Sequence, residues 1–413
     1  MNVRRSAAAL AAVGVLAAAA PATAAGQSPS ASPKVTLPAG LFGKADPTYD
    51  GVWRQSLSLL AQHTVSERPA ASAVDWLVGQ QCADGSFAAF RADTAAPCGG
   101  KGGAQSDTNS TGAAVQALRA VGGHDGEVRK AVAWLKTVQN KDGGWGYSPG
   151  GASDTNSTSV VVGALASAGE DTAALRGKGG TPDEALAGLA LPCSADGGGA
   201  FAYQPDKKGK LVANADATAA GVLGALGKGF VVEPGKARDK APACSSSGKA
   251  TPGRLADNAS AYLAGAVART GHLTSALPGA TDQPDYGNTA DTVVALAANG
   301  WTAQAKKPYA WLEKNAVAWA GQTGPAAYAQ LVLTAHAMGE QPRDFGGTDL
   351  VTALDKLGPA PQQEKKDGTQ AEKADKKADE KGSGNGVWWI VGVGLVAGIG
   401  IGFLLSGRKK RQP

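Results

Sequence analysis

The sequence predicts an all-α protein whose helices alternate between an inner and an outer layer and wind into an (α/α)6 barrel, or toroid. The first observation is repetition: the segment SDTNST at residues 106–111 recurs at residues 153–158, and each copy opens a stretch of Ala, Val and Leu. The second is another set of helical stretches that carry one apolar stripe beside charged residues. The third is that the alternating patterns typical of strands are nearly absent. Repeats with a period of about 45 residues can stack as an open solenoid or close into a ring, and about six copies favour closure.

The polar heads of the repeats predict the starts of the inner helices. Side chains of Asp, Ser, Thr and Asn accept hydrogen bonds from the free N–H groups of a first helical turn, and Asp there also suits the helix dipole. We therefore expect Asp107, Asp154 and Asp216 to be cap residues. The residues that follow are apolar on nearly all sides, which predicts burial on both faces of each helix. Weaker heads occur at 214–218, 257–260 and 288–292, and a last apolar stretch, 328–339, lacks a polar head.

Half-polar stretches between these repeats predict the outer helices. Residues 73–81, 131–139 and 309–314 each place apolar side chains on one stripe and charged side chains beside it. At residues 181–184 the sequence TPDE combines a capping Thr, a first-turn Pro and a Glu three residues after the cap, which is the capping-box arrangement. Helices of this kind are expected on the solvent side of the ring.

The N-terminal residues 1–25 have the pattern of a secretory signal peptide. Arg4 and Arg5 precede an apolar run of Ala, Val, Leu and Gly, and small residues suited to cleavage follow it. The apolar run is too short to span a bilayer. Residues 26–44 are expected to be a linker, and residues 45–358 form the helical body, which is long enough for one large domain.

The C-terminal part predicts a stalk and a membrane anchor. Residues 359–386 are rich in charges of both signs and poor in large apolar side chains, so they cannot bury enough surface to fold. Residues 387–406 form an apolar stretch of the length needed to cross a bilayer, with two Trp residues near its start. The basic tail 407–413 is expected in the cytoplasm by the positive-inside rule. The sequence therefore predicts a single-pass protein of the plasma membrane with its body outside the cell.

The four cysteines predict disulfides, since an even number in an exported chain is typical of bridges. Three connectivities are possible. The pairing with the shortest loops is Cys82–Cys98 and Cys193–Cys244. Metal binding is the alternative, but no CxxC motif or closely spaced His accompanies these residues.

Aromatic turns between the two helix types resemble the QW motif of squalene cyclases and related prenyltransferase-like repeats. Residues 130–145 match that motif at every spacing, ending in GGW. Residues 73–87 form a second copy with Phe in place of the Trp. A third copy ends at Phe201 but has Cys193 where the motif has Gln. The resemblance covers roughly residues 70–230 and becomes degenerate afterwards.

The superfamily of the QW motif has the toroid fold and includes both enzymes and binding proteins. Terpene cyclases, protein prenyltransferase beta subunits and cobalamin carriers such as intrinsic factor and transcobalamin share it, so the fold does not decide the function. In this family the Gln and the aromatic residue tie a turn to the adjacent helix end. The resemblance therefore implies structural roles for Gln81, Phe87, Gln139 and Trp145.

The sequence lacks the motifs that enzymes of this superfamily need. Class II terpene cyclases use a DxDD acid motif and an interior lined with aromatics, whereas here no DxDD occurs and aromatics are 6% of the chain. Protein prenyltransferases hold zinc with Asp, Cys and His, but the four His residues lie far from every Cys. No catalytic residue, cofactor or metal site is therefore predicted, although an enzyme with an unrecognised acid stays open. The net charge of +5 belongs partly to the two ends and does not indicate nucleic-acid binding.

The remaining hypothesis is ligand binding at the mouth of the ring. The loops before the inner helices carry aromatic residues among many glycines, and an aromatic-rimmed concavity suits a bulky, partly apolar ligand. By analogy with the cobalamin carriers, we expect a corrinoid-like or isoprenoid-like ligand that is captured without catalysis and passed to a membrane importer. The alternatives are an enzyme acting on isoprenoids and a purely structural envelope protein. The candidate ligand contacts are Phe90, Trp145, Tyr147, Phe201, Tyr203 and Tyr286.

Overall fold

The structure is a computed structural model that describes residues 38–99, 103–177, 179–247, 250–276 and 280–362. The predicted signal peptide, the stalk beyond residue 362, the membrane anchor and the basic tail lie outside these described residues. Within the described ranges, no helix has both the length and the apolar character needed to cross a membrane.

The described residues form twelve α-helices and four very short strands. The strands pair as two antiparallel ribbons, β1 (Phe87–Ala88) with β2 (Ser106–Asp107) and β3 (Leu273–Thr274) with β4 (Pro284–Asp285). The helices in chain order are α1 (Gly51–Thr64), α2 (Ala71–Gly79), α3 (Thr108–Val121), α4 (Asp125–Thr137), α5 (Thr155–Ser167), α6 (Pro182–Leu189), α7 (Ala215–Ala225), α8 (Pro252–Ala268), α9 (Tyr286–Ala298), α10 (Thr302–Thr323), α11 (Pro325–Met338) and α12 (Leu350–Asp355).

The odd-numbered helices close into an inner ring. Each packs against the next, from α1 through α3, α5, α7 and α9 to α11, and α11 packs back against α1. The even-numbered helices form the outer layer, each packed on the inner helix that precedes it, and α10 also lies against α11. The (α/α)6 toroid is therefore confirmed, and the open solenoid is excluded.

Small side chains let the inner helices approach closely. Residues 108–118 of α3 and 155–165 of α5 are buried without exception. A Cβ atom on Gly112 would lie 2.8 Å from Cγ1 of Val160, so only glycine fits where α3 meets α5. A Cβ on Gly224 of α7 would lie 2.4 Å from Oγ of Ser159. The Ala- and Gly-rich sequence of the inner helices thus sets how tightly the ring is drawn together.

The QW-like turns tie each repeat to the next. The Trp145 side chain is fully buried, and its Nε1 donates to the Leu135 carbonyl at 2.8 Å. Gln139 Nε2 donates to the Gly143 carbonyl at 2.8 Å, and its Oε1 accepts from the Gly177 amide at 2.9 Å. Both ends of the glutamine side chain are therefore used, one within the turn and one on the loop that leads to α6.

The second QW-like copy makes the same kind of link. Gln81 Nε2 donates to the carbonyls of Gly85, at 3.0 Å, and of Glu127 on α4, at 2.8 Å. Phe87 is fully buried, and its amide donates to Oγ1 of Thr111 on α3 at 2.9 Å. In both copies, the glutamine side chain therefore links its turn to the next outer helix or to the loop that leads to it.

The two disulfides are Cys82–Cys98 and Cys193–Cys244. The predicted pairing, which has the shortest loops, is therefore confirmed. The second bridge joins the turn before Phe201 to the long loop between α7 and α8.

Three helix boundaries differ from the sequence prediction. The cap of α7 is Asn214, whose side chain accepts from the Ala217 amide, and Asp216 lies inside the first turn. The head at 257–260 lies within the outer helix α8 and does not start an inner helix. The head at 288–292 lies within α9, which Asp285 caps.

The sixth inner helix is α1, which the sequence analysis did not recognise. Its N-cap Asp50 makes no side-chain capping bond, so the polar signal that marks α3 and α5 is missing. The helix instead carries buried Gln55, which accepts from the Phe42 amide and donates to the carbonyls of Gly40 and Ala73.

Candidate functional site

The first turns of the inner helices lie side by side and form what we call the mouth of the ring, comprising the first two turns of α3, α5, α7, α9 and α11. The Thr108 amide of α3 donates to the Tyr147 carbonyl, and the Thr155 amide of α5 donates to the Tyr203 carbonyl. Asn156 of α5 donates to Asp216 of α7 at 2.7 Å. The mouth therefore brings together polar side chains that are far apart in the chain.

Two buried aspartates cap α3 and α5 at the mouth. The carboxylate of Asp107 accepts from the Ser110 amide at 2.6 Å, and that of Asp154 accepts from the Ser157 amide at 2.7 Å. Burial raises the pKa of each carboxyl group to about 6, although these hydrogen bonds pull it back down. Each capping bond thus offsets part of the cost of burying a carboxylate.

The predicted rim residues Tyr147 and Tyr203 are half-buried and turn toward these caps. The Tyr147 hydroxyl group faces the Asp107 carboxyl group, and the Tyr203 hydroxyl group faces that of Asp154. Burial together with the neighbouring carboxyl groups raises the pKa of both phenols well above the ordinary value, so both stay protonated. The two tyrosines therefore present their rings to the loops and their hydroxyl groups to the mouth.

A second pair of carboxyl groups forms what we call the acidic recess, defined by Asp216, Asp291, Asn156 and Gln330. Asp216 lies on α7 and Asp291 on the neighbouring inner helix α9. Asp216 accepts from Asn156 Nδ2, and Asp291 accepts from Gln330 Nε2, both at 2.7 Å. Gln330 Nε2 also donates to the Gly287 carbonyl at 3.1 Å. Four side chains from α5, α7, α9 and α11 thus meet at the mouth.

The acidic recess raises the pKa of both its aspartates. Burial raises the pKa of Asp216 to about 7; the hydrogen bond from Asn156 lowers it, and the nearby charges of Asp285 and Asp154 raise it further. Burial raises the pKa of Asp291 to about 7 as well. The negative charge of Asp216 is the second largest cause of this rise. Because like charges repel across the recess, the two groups do not both ionise freely at neutral pH.

The sequence analysis missed most of the acidic recess. Asn109, Asn156 and Asp216 each lie two residues after a capping residue, and this spacing was a usable signal for side chains that follow the cap into the mouth. Asp291 lay within the weaker polar head at 288–292, but both Asp291 and Gln330 lie more than one turn beyond the start of their helices, where the cap spacing does not apply.

The predicted rim residue Tyr286 belongs to a row of stacked aromatic rings. Its ring lies 5.1 Å from Trp311 and 5.6 Å from Trp319, both on the outer helix α10, and His272 stacks on Trp311 at 4.3 Å. All four side chains are partly exposed. Trp319 lies near Gly287 and hence beside Gln330 of the acidic recess. The row therefore begins at the mouth and continues along the outside of the ring.

Two predicted rim aromatics are buried, which corrects the expected set of ligand contacts. Trp145 and Phe201 are fully buried, because Trp145 fills the QW-like turn and Phe201 packs against Gly221 of α7. Phe90 is partly exposed; it stacks on Trp76 of the outer helix α2 at 6.4 Å and lies beside Gly51, the first residue of the inner helix α1. A bound ligand therefore has no access to Trp145 or Phe201 in this structure.

The inside of the ring is occupied by the segment that follows α7, residues 228–230, which we call the plug. Gly229 lies against Gly163 of α5, where a Cβ on Gly163 would lie 2.7 Å from the Gly229 Cα. The Phe230 amide donates to Gln116 Oε1 of α3 at 2.8 Å, and its ring meets Trp53 of α1 edge-on at 5.2 Å. The plug therefore touches the inner helices α1, α3 and α5.

Two open concavities of the described residues lie away from the mouth. One of about 520 Å³ lies at the C-terminal ends of α7 and α9, where Lys228, Lys236 and Arg238 line it. The other, of about 360 Å³, lies beside α3 and α4. Neither resembles a deep apolar chamber between the inner helices.

Comparison with known proteins supports the QW-like repeats. Residues 106–179 match the family model of the squalene-hopene cyclase C-terminal domain. This range holds α3, α4, α5 and the turn that ends in Trp145. The resemblance to squalene cyclase repeats is confirmed. The chain has a terpenoid-cyclase-like toroid.

Three solved structures match much of the chain at low sequence identity. A protein from Actinoplanes matches at 14% identity and a TM-score of 0.47, covering 72% of this chain and 92% of that one. Ligand-free type II terpene cyclase MstE from Scytonema matches at 14% identity and a TM-score of 0.44, and the match covers 75% of this chain and 89% of that one. A variant of that cyclase in complex with geranylgeranyl dihydroxybenzoate matches at 14% identity and a TM-score of 0.38, and the match covers 73% of this chain and 71% of that one. No curated protein sequence matches the chain.

The mouth of this toroid can accept hydrogen bonds more readily than it can donate them. Asp216 and Asp291 offer carboxyl oxygens, and the partly exposed rings of Tyr286 and Trp319 lie beside them. Such a site suits a ligand with several N–H or O–H donors and a flat apolar part.

Proposed function

We propose that this chain is a membrane-anchored surface protein that binds a bulky ligand at the mouth of its toroid without catalysing a reaction on it. The observation that carries this proposal is the plug. Because Phe230 and Trp53 meet between the inner helices, they fill part of the space where a chamber would lie, and we expect the ligand to rest on the mouth. A cyclase needs such a chamber to fold a polyprenyl chain and shield its cations from water.

The chemistry of the mouth favours a corrinoid over an isoprenoid. A corrinoid is a broad ring that carries many amide groups, and amide N–H groups pair well with carboxylate oxygens such as those of Asp216 and Asp291. Its flat apolar face suits the exposed aromatic rings of Tyr286 and Trp319. An isoprenoid chain offers no donors for these oxygens and would leave them unpaired.

The location of the mouth fits a role in uptake. A signal peptide at 1–25 and an anchor at 387–406 would place the toroid outside the cell, joined to the anchor by the charged segment 359–386. The toroid would capture its ligand at the membrane surface and pass it to an importer in the same membrane.

A second candidate is an enzyme of the cyclase type. The match of residues 106–179 to a cyclase family model favours it, as does a pair of carboxyl groups with pKa values of about 7, one of which can hold a proton near neutral pH. The filled ring argues against it, since the acids lie at the mouth and not at the end of an apolar chamber.

Calorimetry on the full-length protein in detergent micelles tests both candidates. We expect cyanocobalamin to bind and to raise the melting temperature, and geranylgeranyl diphosphate to do neither. Tyr286→Ala should weaken cobalamin binding by about ten-fold, whereas Asp75→Ala, at an exposed position of the outer helix α2, should leave it unchanged. Absence of cobalamin binding would refute the corrinoid proposal, and conversion of the diphosphate to a cyclic product would establish the enzyme.

A further inference from the structure

The mouth holds an excess of negative charge without positive partners. Asp154, Asp216, Asp285 and Asp291 form an arc in which Asp285 and Asp154 each raise the pKa of Asp216, and Asp216 raises that of Asp291. Among the described residues, none of the ion pairs includes any of these four carboxyl groups. Asp216 and Asp291 accept hydrogen bonds from the neutral side-chain amides of Asn156 and Gln330. The recess therefore lacks a counter-ion of its own.

Unsatisfied amide oxygens independently point to a missing donor. Asn156 is 3% exposed, its Nδ2 donates to Asp216, and its Oδ1 has no hydrogen-bond donor. Asn288 repeats this arrangement, since its Nδ2 donates to Asp285 at 2.7 Å while its Oδ1 is also without a donor. Buried polar atoms are nearly always paired in folded proteins. Carboxylate and amide oxygens together thus outnumber the donors around the recess.

The spacing of the acids disfavours a metal ion as the missing partner. Among the described residues, no three Asp, Glu, His or Cys side chains come close enough together to hold one. Unlike a metal ion, an organic cation does not need closely clustered ligands, because its several N–H groups can donate to oxygens that are spread apart. The ring of Trp319, beside Gln330 and Gly287, adds an aromatic face of the kind that attracts such cations.

We propose that the acidic recess binds an alkylammonium or guanidinium group of a ligand, with Asp216 and Asp291 as its counter-ions and Trp319 beside it. This inference rests, like the proposed function, on the mouth being a binding site, but it does not require the ligand to be a corrinoid. The other titratable groups that face the recess are Asp154 on α5, Asp285 at the start of α9 and Tyr203 on the loop before α7.

Benzylammonium and its neutral counterpart benzyl alcohol make a matched pair of probes. In calorimetric titrations of the full-length protein at pH 8, we expect benzylammonium to bind and benzyl alcohol not to bind. Affinity should fall at least ten-fold at pH 5, where the recess carboxyl groups are protonated. Asp216→Asn and Asp291→Asn should each weaken binding by about ten-fold, which corresponds to the loss of one charge-assisted hydrogen bond. Asp75→Asn, an exposed acid on α2, removes the same charge and should change nothing.

Three outcomes would overturn the cation site. The first is equal behaviour of benzylammonium and benzyl alcohol, and the second is equal loss of binding in Asp75→Asn. The third is a calcium-dependent rise in melting temperature that needs Asp216 and exceeds the benzylammonium effect, since the recess would then be a metal site. Circular dichroism of each variant shows whether it is folded. Cobalamin binding without benzylammonium binding would refute this inference alone, and the reverse result would refute only the corrinoid proposal.

Discussion

Asp216 and Asp291 are the residues whose ionisation most affects the folded protein. Each is packed among inner helices with one neutral amide donor, and burial raises the pKa of each from 3.8 to about 7. The protonated form is therefore the one that the folded state favours. The stability that protonation supplies is fully present below about pH 4 and is lost as the pH rises through 7.

The variants Asp216→Asn and Asp291→Asn should accordingly stabilise the protein, and more so at high pH. Asparagine removes the carboxylate charge while still offering an oxygen to Asn156 or Gln330. We expect the gain in the free energy of unfolding to be larger at pH 8 than at pH 5, by on the order of 2 kcal/mol. Urea denaturation at both pH values measures it.

The exposed Asp75→Asn variant serves as the control for this experiment and should show no gain at either pH. A gain of equal size at pH 5 and pH 8 would contradict the argument, since it would mean that the carboxyl groups have ordinary pKa values in the folded state.

Trp145 is a residue for which the sequence suggested two roles and the structure shows one. Its place in an aromatic-rich loop made it a candidate ligand contact, yet the same side chain is also the last residue of a QW-like turn. The structure shows that the turn uses the whole side chain, with the ring buried and Nε1 bonded to the Leu135 carbonyl. One side chain cannot serve both roles, because a buried ring has no surface left for a ligand.

The QW-like turn is the element that holds adjacent repeats in register. Gln139 bonds the turn through one amide atom and the loop before α6 through the other. The bond to the Gly143 carbonyl is buried, so a substitution that removes it leaves that carbonyl unpaired, whereas the amide of the exposed Gly177 can bind water instead. The turn therefore connects two adjacent repeats through side-chain hydrogen bonds and is not simply an exposed loop.

Gln139→Leu should lower the free energy of unfolding by about 1 to 3 kcal/mol, because it keeps the volume and removes both hydrogen bonds. Trp145→Ala should cost about 3 to 5 kcal/mol through the cavity that it leaves. Gln204→Leu, which removes a bond to the Ala152 carbonyl near the surface, should cost less than about 0.5 kcal/mol. Chemical denaturation of the three variants checks this order, and a Gln139→Leu effect no larger than that of Gln204→Leu would contradict it.

At the scale of the whole molecule, closure of the ring and the two disulfides limit how far the chain can open. The ring closes where α11 meets α1, so the two ends of the helical body are packed together. Cys193–Cys244 spans 51 residues and Cys82–Cys98 spans 16. A bridge across a longer loop removes more conformational freedom from the unfolded chain.

Replacing both cysteines of a pair by Ala should therefore destabilise the protein by about 4 kcal/mol for Cys193 and Cys244, and by about 3 kcal/mol for Cys82 and Cys98. Thermal unfolding of the two double variants measures the difference. Mass spectrometry after alkylation should detect no free thiol in the wild-type protein. Four alkylated cysteines would refute the pairing, and a larger loss from the shorter loop would refute the chain-entropy explanation.

The sequence by itself determined the local parts of this protein. Polar heads located the starts of α3 and α5, the capping box located α6, and the QW-like spacing located the turns at Phe87 and Trp145. The period of the repeats predicted a closed ring, and the shortest loops predicted the disulfides. These features depend on residues close together in the chain, so their patterns are visible without a structure.

The tertiary structure alone decided which distant side chains meet. It identified α1 as the sixth inner helix, placed Asp291 beside Asp216, and put Phe230 of the plug against Trp53. It also showed that Asn214, and not Asp216, caps α7, which leaves the Asp216 carboxyl group free to face the recess. The physical reason is that capping and amphipathicity are satisfied within a few residues, whereas the charge and the filling of the mouth depend on how six helices pack around one axis.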